Sequence, residues 1–292
     1  MATRSFVDSE TLKSSMDILE PLKGRLTRPL DNSLVSLGLE YSKWLSQYLE
    51  DKFSSIEGWK ESHPIAMGSW ARGELSPRSD IDLLFCGDVE AAVHFVEQAQ
   101  KLGLPLRHRV PKNSNDWTDG VEAFDTLSML NAKAFTLQGS VVLAQQKQKL
   151  LSSLPKMKKN LLKVIREERR ERNERYDSIT HYLQPNIKYG KGGLRDVQQG
   201  LYVFELFRDK FVDAHSTERT LRSAKLYFIV LRHLSHLLGT NDVLDSNVQQ
   251  ELYKWCGYPS NKDFMRDLQN VIASVSFLSD WVLERATASQ AK

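Results

Sequence analysis

The sequence predicts an α+β protein in two parts. Strand-type segments are confined to Ile65 through Val110, and helical patterning runs from Phe124 almost to the end. Three observations carry this reading. Ile65-Ala66-Met67, Ile81 to Phe85 and Leu104 to Val110 are short runs suited to strands, apolar residues recur at three- and four-residue steps in the second half, and one glycine- and proline-rich break, Leu183 to Asp196, interrupts those helices.

Length and composition bound the answer. With 292 residues the chain suffices for one large or two ordinary domains, and 41% apolar residues can fill real cores. A net charge of +3 is too small to argue for a nucleic-acid partner. The two cysteines, Cys86 and Cys256, lie far apart, which speaks against a disulfide scaffold or zinc knuckle and for buried thiols in a reducing compartment. No apolar run approaches the roughly 20 residues that a membrane helix needs, and the N-terminus lacks a signal-peptide core, so a soluble cytoplasmic protein is expected.

From the N-terminus, residues 1–60 read as mostly helical, with Pro21 and Pro29 as breaks. From Ser33 onward Leu34, Leu37, Leu39, Trp44, Leu45 and Leu49 mark an amphipathic helix. Ile65-Ala66-Met67 then forms a short strand, the chain turns at Gly68, and a helix is expected from Ser69 to Leu75. The next strand opens on Ser79-Asp80-Ile81-Asp82. Val89 to Leu102 reads as a helix with Val93, Val96, Ala99 and Phe95 inward, followed by the strand Leu104 to Val110 and a polar loop, Pro111 to Asp119. Residues 156–175 carry nearly continuous charge of both signs, the pattern of a solvated helix held by i,i+4 pairs, with Arg169, Arg172 or Arg175 as the residues that could instead face a cleft. After the break, Leu194, Val197, Leu201 and Phe204 mark a helix. Leu221 to Leu238, Asp245 to Tyr258 and Asp263 to Arg285 mark three more.

The chemistry gathers in Met67 to Cys86. Side chains two apart on a strand share a face, so Asp80 and Asp82 project together while Ile81 and Leu83 turn the other way. Paired carboxylates repel unless a cation sits between them, and hard oxygen ligands at this spacing suit Mg²⁺, which accepts one or two carboxylates plus substrate phosphates. Gly68 permits close backbone approach, Ser69 offers a hydroxyl at a helix start that attracts phosphate, and Arg72, Arg78 or both could neutralise a triphosphate. Taken singly, Gly-Ser before a helix is an ordinary cap and Asp-x-Asp an ordinary surface pair; their order and spacing before an apolar strand point to a nucleotide site. The Leu183 to Asp196 loop, with Pro185, Gly190, Gly192 and Gly193, is a second anion-suited turn, with Lys188 and Lys191 nearby. Asp196 falls in the first turn of the helix that follows, where the dipole favours it anyway.

Gly68-Ser69 followed by Asp80-Ile81-Asp82 resembles the signature of the DNA polymerase beta-type nucleotidyltransferases. More closely, GSWARGELSPRSDIDLLF is similar to the corresponding stretch of the bacterial PII uridylyltransferases. Gln184-Pro185-Asn186-Ile187-Lys188 and Gly192-Gly193-Leu194-Arg195-Asp196 resemble a second segment of that family, with Gln184 where an acidic residue is usual. The resemblance runs from about residue 60 to 285. It implies a small mixed-sheet nucleotidyltransferase core with N-terminal helices at 1–145, and an all-α domain holding the GGLRD loop at 146–292. It implies a reaction moving a nucleoside monophosphate, UMP in preference, from NTP to a hydroxyl with release of pyrophosphate. The nucleotide is UTP, with ATP as the other candidate, and the acceptor a tyrosine of a PII-type protein in nitrogen regulation.

By the same resemblance Asp80 and Asp82 are the catalytic and metal-binding pair for Mg²⁺ or Mn²⁺, and Gly68, Ser69, Arg72, Ser79, Lys188, Gly192, Gly193 and Arg195 the nucleotide-binding set. The family's third carboxylate, from the neighbouring strand, has no counterpart: Lys101 and Pro105 occupy the matching positions. That leaves a substitute from the following loop (Asp116, Asp119, Glu122 or Asp125), a single-metal mechanism, or a weak or inactive enzyme. His108 has a family counterpart and could bond a phosphate or serve structurally. His233 and His236, without an adjoining aspartate, read as helix surface or core. The bifunctional members continue into a His-Asp hydrolase and ligand-sensing domains that this sequence does not reach, so nucleotide removal and regulation are expected from elsewhere. Two rivals stand beside this reading: a superfamily enzyme acting on a small molecule or nucleic-acid end, and a nucleotide-binding regulator without turnover.

Overall fold

The computed structural model describes residues 5–22, 35–110, 123–176 and 178–289. In chain order these form α1 (Ser9–Ser14), α2 (Met16–Leu19), α3 (Val35–Ser54), β1 (Pro64–Ala66), α4 (Gly68–Ala71), β2 (Ile81–Phe85), α5 (Val89–Lys101), β3 (Leu106–Arg109), α6 (Ala123–Leu130) and β4 (Lys133–Ala134). Then follow α7 (Leu137–Tyr176), α8 (Ile179–Leu183), α9 (Leu194–Leu206), α10 (His215–Leu237), α11 (Ser246–Trp255) and α12 (Asn261–Ala288). A mixed sheet followed by helices is the α+β arrangement expected. Two compact units result, one of Met1–Leu12 with Leu39–Met157, the other of Lys13–Gly38 with Lys158–Lys292. The later boundary falls within α7 close to Pro155, whose ring removes one helix hydrogen bond. Among the described residues no helix is long and apolar enough to cross a membrane.

In the first unit the sheet order is β3-β2-β1-β4, with β2 and β3 parallel and the other pairs antiparallel. The parallel pair requires a crossover, which α5 provides. Asp88 caps α5 by accepting the Ala91 N–H at 2.7 Å, and Ala92, Phe95, Val96 and Ala99 form its buried face. Val93, expected inward, is exposed instead; Ala92 takes its place, because the buried stripe runs 92-95-96-99. From Leu39 on, α3 buries Tyr41, Leu45, Leu49 and Phe53, each a helical turn apart. Phe53, Trp59, Trp70, Phe85, Phe95 and Phe135 pack as an aromatic cluster with ring centroids from 4.7 Å (Trp70–Phe135) to 5.7 Å (Phe85–Phe95) apart. Such pairs contribute about 0.5–1.5 kcal/mol each beyond burial. They fix the sheet that carries the site. Cys86, also here, is buried with its thiol pushed up to about 11 by desolvation.

The helix expected over Ser69–Leu75 is a single turn. Gly73 adopts a left-handed φ of +67°, its N–H donates to Trp70 O (3.1 Å), and the Glu74 N–H reaches back to Ser69 O (2.8 Å), which closes the turn as a Schellman cap.

The second unit is helical. Helix α9 is buried along most of its length and packs against α10 and α12. In α7 the buried positions Leu161, Leu162 and Ile165 continue as Arg169 and Arg172. The charged run is therefore not a fully solvated face: Lys163–Glu167 and Arg170–Glu174 form exposed i,i+4 pairs, while Arg169 and Arg172 are 3% and 6% exposed.

Candidate functional site

Strand pairing builds the site in the first unit. The register Ala66↔Leu83 brings Met67 opposite Asp82, and the Met67 N–H donates to Asp82 O at 2.9 Å. Gly68 follows with φ +56°, a left-handed conformation that side chains strain to adopt. A Cβ there would stand 2.0 Å from Asp82 Oδ2 and 3.0 Å from its Cγ. The absence of a side chain at Gly68 is what lets the Asp82 carboxylate lie against the backbone. The Gly68 N–H donates to Ser128 Oγ of α6 at 3.3 Å. Ser69, beside it, is half-buried. With only four residues, α4 supplies little of the helix dipole expected to draw in a phosphate.

The carboxylates flank the entry to β2, Asp80 just before the strand and Asp82 within it, with Ile81, Leu83 and Phe85 buried on the alternate positions. Ser79 presents them. Its buried hydroxyl accepts the Ser76 N–H (3.0 Å), and its own N–H donates to Ser76 O (2.8 Å), a tight turn that fixes where Asp80 emerges. Arg72 is held by Glu74: Nε lies 2.8 Å from Oε2 of a carboxylate only 1% exposed. Asp80 is paired to Arg107, whose guanidinium lies 3.0 Å from Oδ2. Arg107 is the register partner of Asp82 across the parallel β2/β3 ladder. Sequence reasoning missed it, and the signal was its place one residue before His108 on the predicted neighbouring strand.

His108 pairs in register with Leu83, so it stands on the face of the sheet opposite Asp82 and is exposed. Of the carboxylates considered as substitutes, Asp116, Asp119 and Glu122 lie outside the described residues, and so does the side chain of Asp125. Among the described residues no group of three or more His, Cys, Asp or Glu side chains could hold a metal. The donors present still fit Mg²⁺ in its sparest form, two carboxylates completed by phosphate and water oxygens.

Lys188, Gly192, Gly193 and Arg195 belong to the second unit. Their loop is internally bonded. Asn186 Oδ1 accepts the Lys188 and Tyr189 N–H groups (3.0 and 2.7 Å), and the Gly193, Leu194 and Arg195 N–H groups donate to Gly190, Ile187 and Lys188 carbonyls at 2.9 Å. The Gly192 N–H donates to Asp196 Oδ2 (2.7 Å), and with φ +75° a Cβ on Gly192 would stand 2.1 Å from Ile272 O. The backbone donors that could meet an anion at this helix start are thus engaged within the loop. Lys188 Nζ lies 3.8 Å from Asp242 Oδ2, and Arg195 Nε 3.9 Å from Glu168 Oε1.

Asp196 is the hub of this unit. Fully buried, it is ion-paired with Arg169, whose Nε lies 3.2 Å away and whose Nη1 also meets Asp280 at 2.7 Å, and with Arg172, which donates a bond to Gln199 Oε1 at 2.9 Å. Burial pushes the Arg172 guanidinium down, against the pull of Asp196 and Glu168. A second buried cluster joins Asp242 to Arg232 (2.6 Å) and to His236 Nε2 (3.1 Å). An aspartate does therefore adjoin His236, across the turn after α10, and Arg232 shares it. Burial works to raise the Asp242 carboxyl, but Arg232, His236 and Lys188 hold it well below the usual carboxylate range. His233 is fully buried and donates from Nε2 to Gly38 O at 3.2 Å.

Residues 160–283 match the family model described as GlnD PII-uridylyltransferase. Three proteins, each named bifunctional uridylyltransferase/uridylyl-removing enzyme, are similar over more of the chain. That of Ectopseudomonas mendocina is 27% identical over 82% of this chain and 30% of its own length. Those of Hydrogenovibrio crunogenus and Pseudomonas fluorescens are 29% and 25% identical, over 70% and 84% of this chain and 25% and 30% of their own. The chain spans less than a third of the length of these relatives.

Proposed function

We propose that this chain, which resembles the PII uridylyltransferases over most of its length, is a nucleotidyltransferase that uses UTP in preference, or ATP, to modify a tyrosine of a PII-type protein. The observation that supports it most is the closure of Gly68 against the Asp82 carboxylate, with Asp80 beside it at the entry to the same strand. In the reaction the acceptor hydroxyl oxygen attacks the α-phosphorus, the bond to the β-phosphate oxygen breaks, and pyrophosphate leaves while the hydroxyl gives up its proton to a base.

Asp80 and Asp82 would hold Mg²⁺ or Mn²⁺, which when bound screens the triphosphate and stabilises charge developing on the phosphoryl oxygens. The chain's own contribution is positional. Gly68 keeps the backbone low enough for the β and γ phosphates to approach, Ser69 donates its hydroxyl to them, and Arg72, oriented by Glu74, adds positive charge. Ser79 fixes the turn from which Asp80 emerges. A place in the cytoplasm and in nitrogen regulation follows from the PII-type acceptor.

The test is to incubate the purified chain with each labelled NTP, Mg²⁺ or Mn²⁺, and a PII-type protein, and to weigh the acceptor by mass spectrometry. The expected result is one added uridylyl group per modified subunit, reduced by orders of magnitude in a folded Asp82→Ala variant. Full transfer by that variant sinks the assignment. The missing third carboxylate, with Lys101 and Pro105 at the matching positions, favours one second reading, a nucleotide-binding regulator without turnover. Metal-dependent binding of UTP with no product distinguishes it.

A further inference from the structure

We infer that Arg107 is a built-in counter-ion of the carboxylate pair. It balances the charge of Asp80 and Asp82, and a divalent cation binds at these carboxylates by displacing it. The inference rests on the reading of these two carboxylates as a metal site and adds to it how their charge is balanced and how the affinity of the site is set.

The geometry carries the assignment. Asp82 and Arg107 are register partners across a parallel ladder, so their side chains leave the sheet on the same face. From there the guanidinium reaches Oδ2 of Asp80 at 3.0 Å. Two aspartates two residues apart repel when both are ionised, and a fixed cation on the adjacent strand relieves that repulsion. With Arg107 in place the trio carries one net negative charge, a weak attractor for a bare divalent ion. The pair is also easily opened. Arg107 is 69% exposed, and an exposed pair of this kind holds its partners only weakly. The long side chain can swing into solvent when a stronger cation arrives. A nucleotide triphosphate restores the missing negative charge at the site, so the metal and the nucleotide should enter together.

The experiment measures Mn²⁺ binding to the full chain without nucleotide, by electron paramagnetic resonance of the free ion, for the wild type, Arg107→Gln, Arg107→Lys and Asp80→Asn, with far-ultraviolet circular dichroism confirming the fold of each. Arg107→Gln is expected to bind Mn²⁺ about three- to fivefold more tightly, Arg107→Lys about as the wild type, and Asp80→Asn more weakly than either. Equal affinity in Arg107→Gln and wild type, with binding lost in Asp80→Asn, overturns the counter-ion role and leaves the metal site standing. No Mn²⁺ binding by any variant, with or without UTP, overturns both.

Discussion

Replacing Gly68 by alanine separates the local cost of the turn from its chemical purpose. Gly68 and Gly73 both sit at left-handed φ, +56° and +67°, so alanine at either costs about 1–2 kcal/mol in backbone strain. The surroundings differ. At Gly73 an added Cβ meets nothing within 4 Å, whereas at Gly68 it falls 2.0 Å from Asp82 Oδ2. The group in the way is the end of a short side chain, so the clash is relieved by turning the Asp82 carboxylate aside rather than by moving the sheet. Both variants should therefore fold and lose comparable stability in urea unfolding, while only Gly68→Ala loses the ligand site. Binding of UTP with Mn²⁺, followed by calorimetry, should weaken at least tenfold in Gly68→Ala, about 1.4 kcal/mol or more, and stay near wild type in Gly73→Ala. Equal binding by the two variants refutes the claim that Gly68 exists to accommodate Asp82.

Two further predictions concern the second unit. Asp196→Asn removes the buried carboxylate that Arg169 and Arg172 share, while Arg169 keeps Asp280 at 2.7 Å, so urea unfolding should show a loss of about 3 kcal/mol; a loss under about 1 kcal/mol means the remaining carboxylates and solvent carry both arginines. His233 and His236 are buried, and desolvation pushes them down to about 3 and about 4, for His236 against the pull of Asp242. Both stay neutral in the fold and take up protons on unfolding. Their contribution is intact above about pH 6.5 and declines as pH falls toward 4, by about 2 kcal/mol per histidine at pH 5. A urea midpoint that does not move between pH 7 and pH 5 contradicts this.

The division into a strand-bearing first part and a helical second part was legible because periodicity is local: strands show as short runs and α10, α11 and α12 as apolar residues at helical steps. The helix α4 was overestimated, since a glycine at left-handed φ ended it after one turn. Arg107 was harder to find. Its relation to Asp80 and Asp82 exists only through the register of two strands joined by a helix, which spacing along the chain does not encode. A dense run of mixed charge normally faces solvent, and the sequence offers Arg169 and Arg172 only as residues that could face a cleft instead; both are buried. The continuation of the Leu161-Ile165 stripe through both arginines was visible, but Asp196, the partner that makes their burial tolerable, lies far along the chain. His236 and Asp242 were missed as a pair for the opposite reason: they are six residues apart, across a turn whose geometry the sequence leaves open.

Asp80 and Asp82, the latter closed against Gly68, are proposed to form a metal-dependent nucleotide site. The most direct test is equilibrium binding of UTP to the full chain with and without Mn²⁺, for wild type and for Asp82→Asn, which keeps the side-chain shape and removes the charge. Mn²⁺-dependent binding by the wild type is expected to weaken at least tenfold in a folded Asp82→Asn, a change of about 1.4 kcal/mol or more. Equal affinity in the two proteins, or binding indifferent to Mn²⁺, contradicts it.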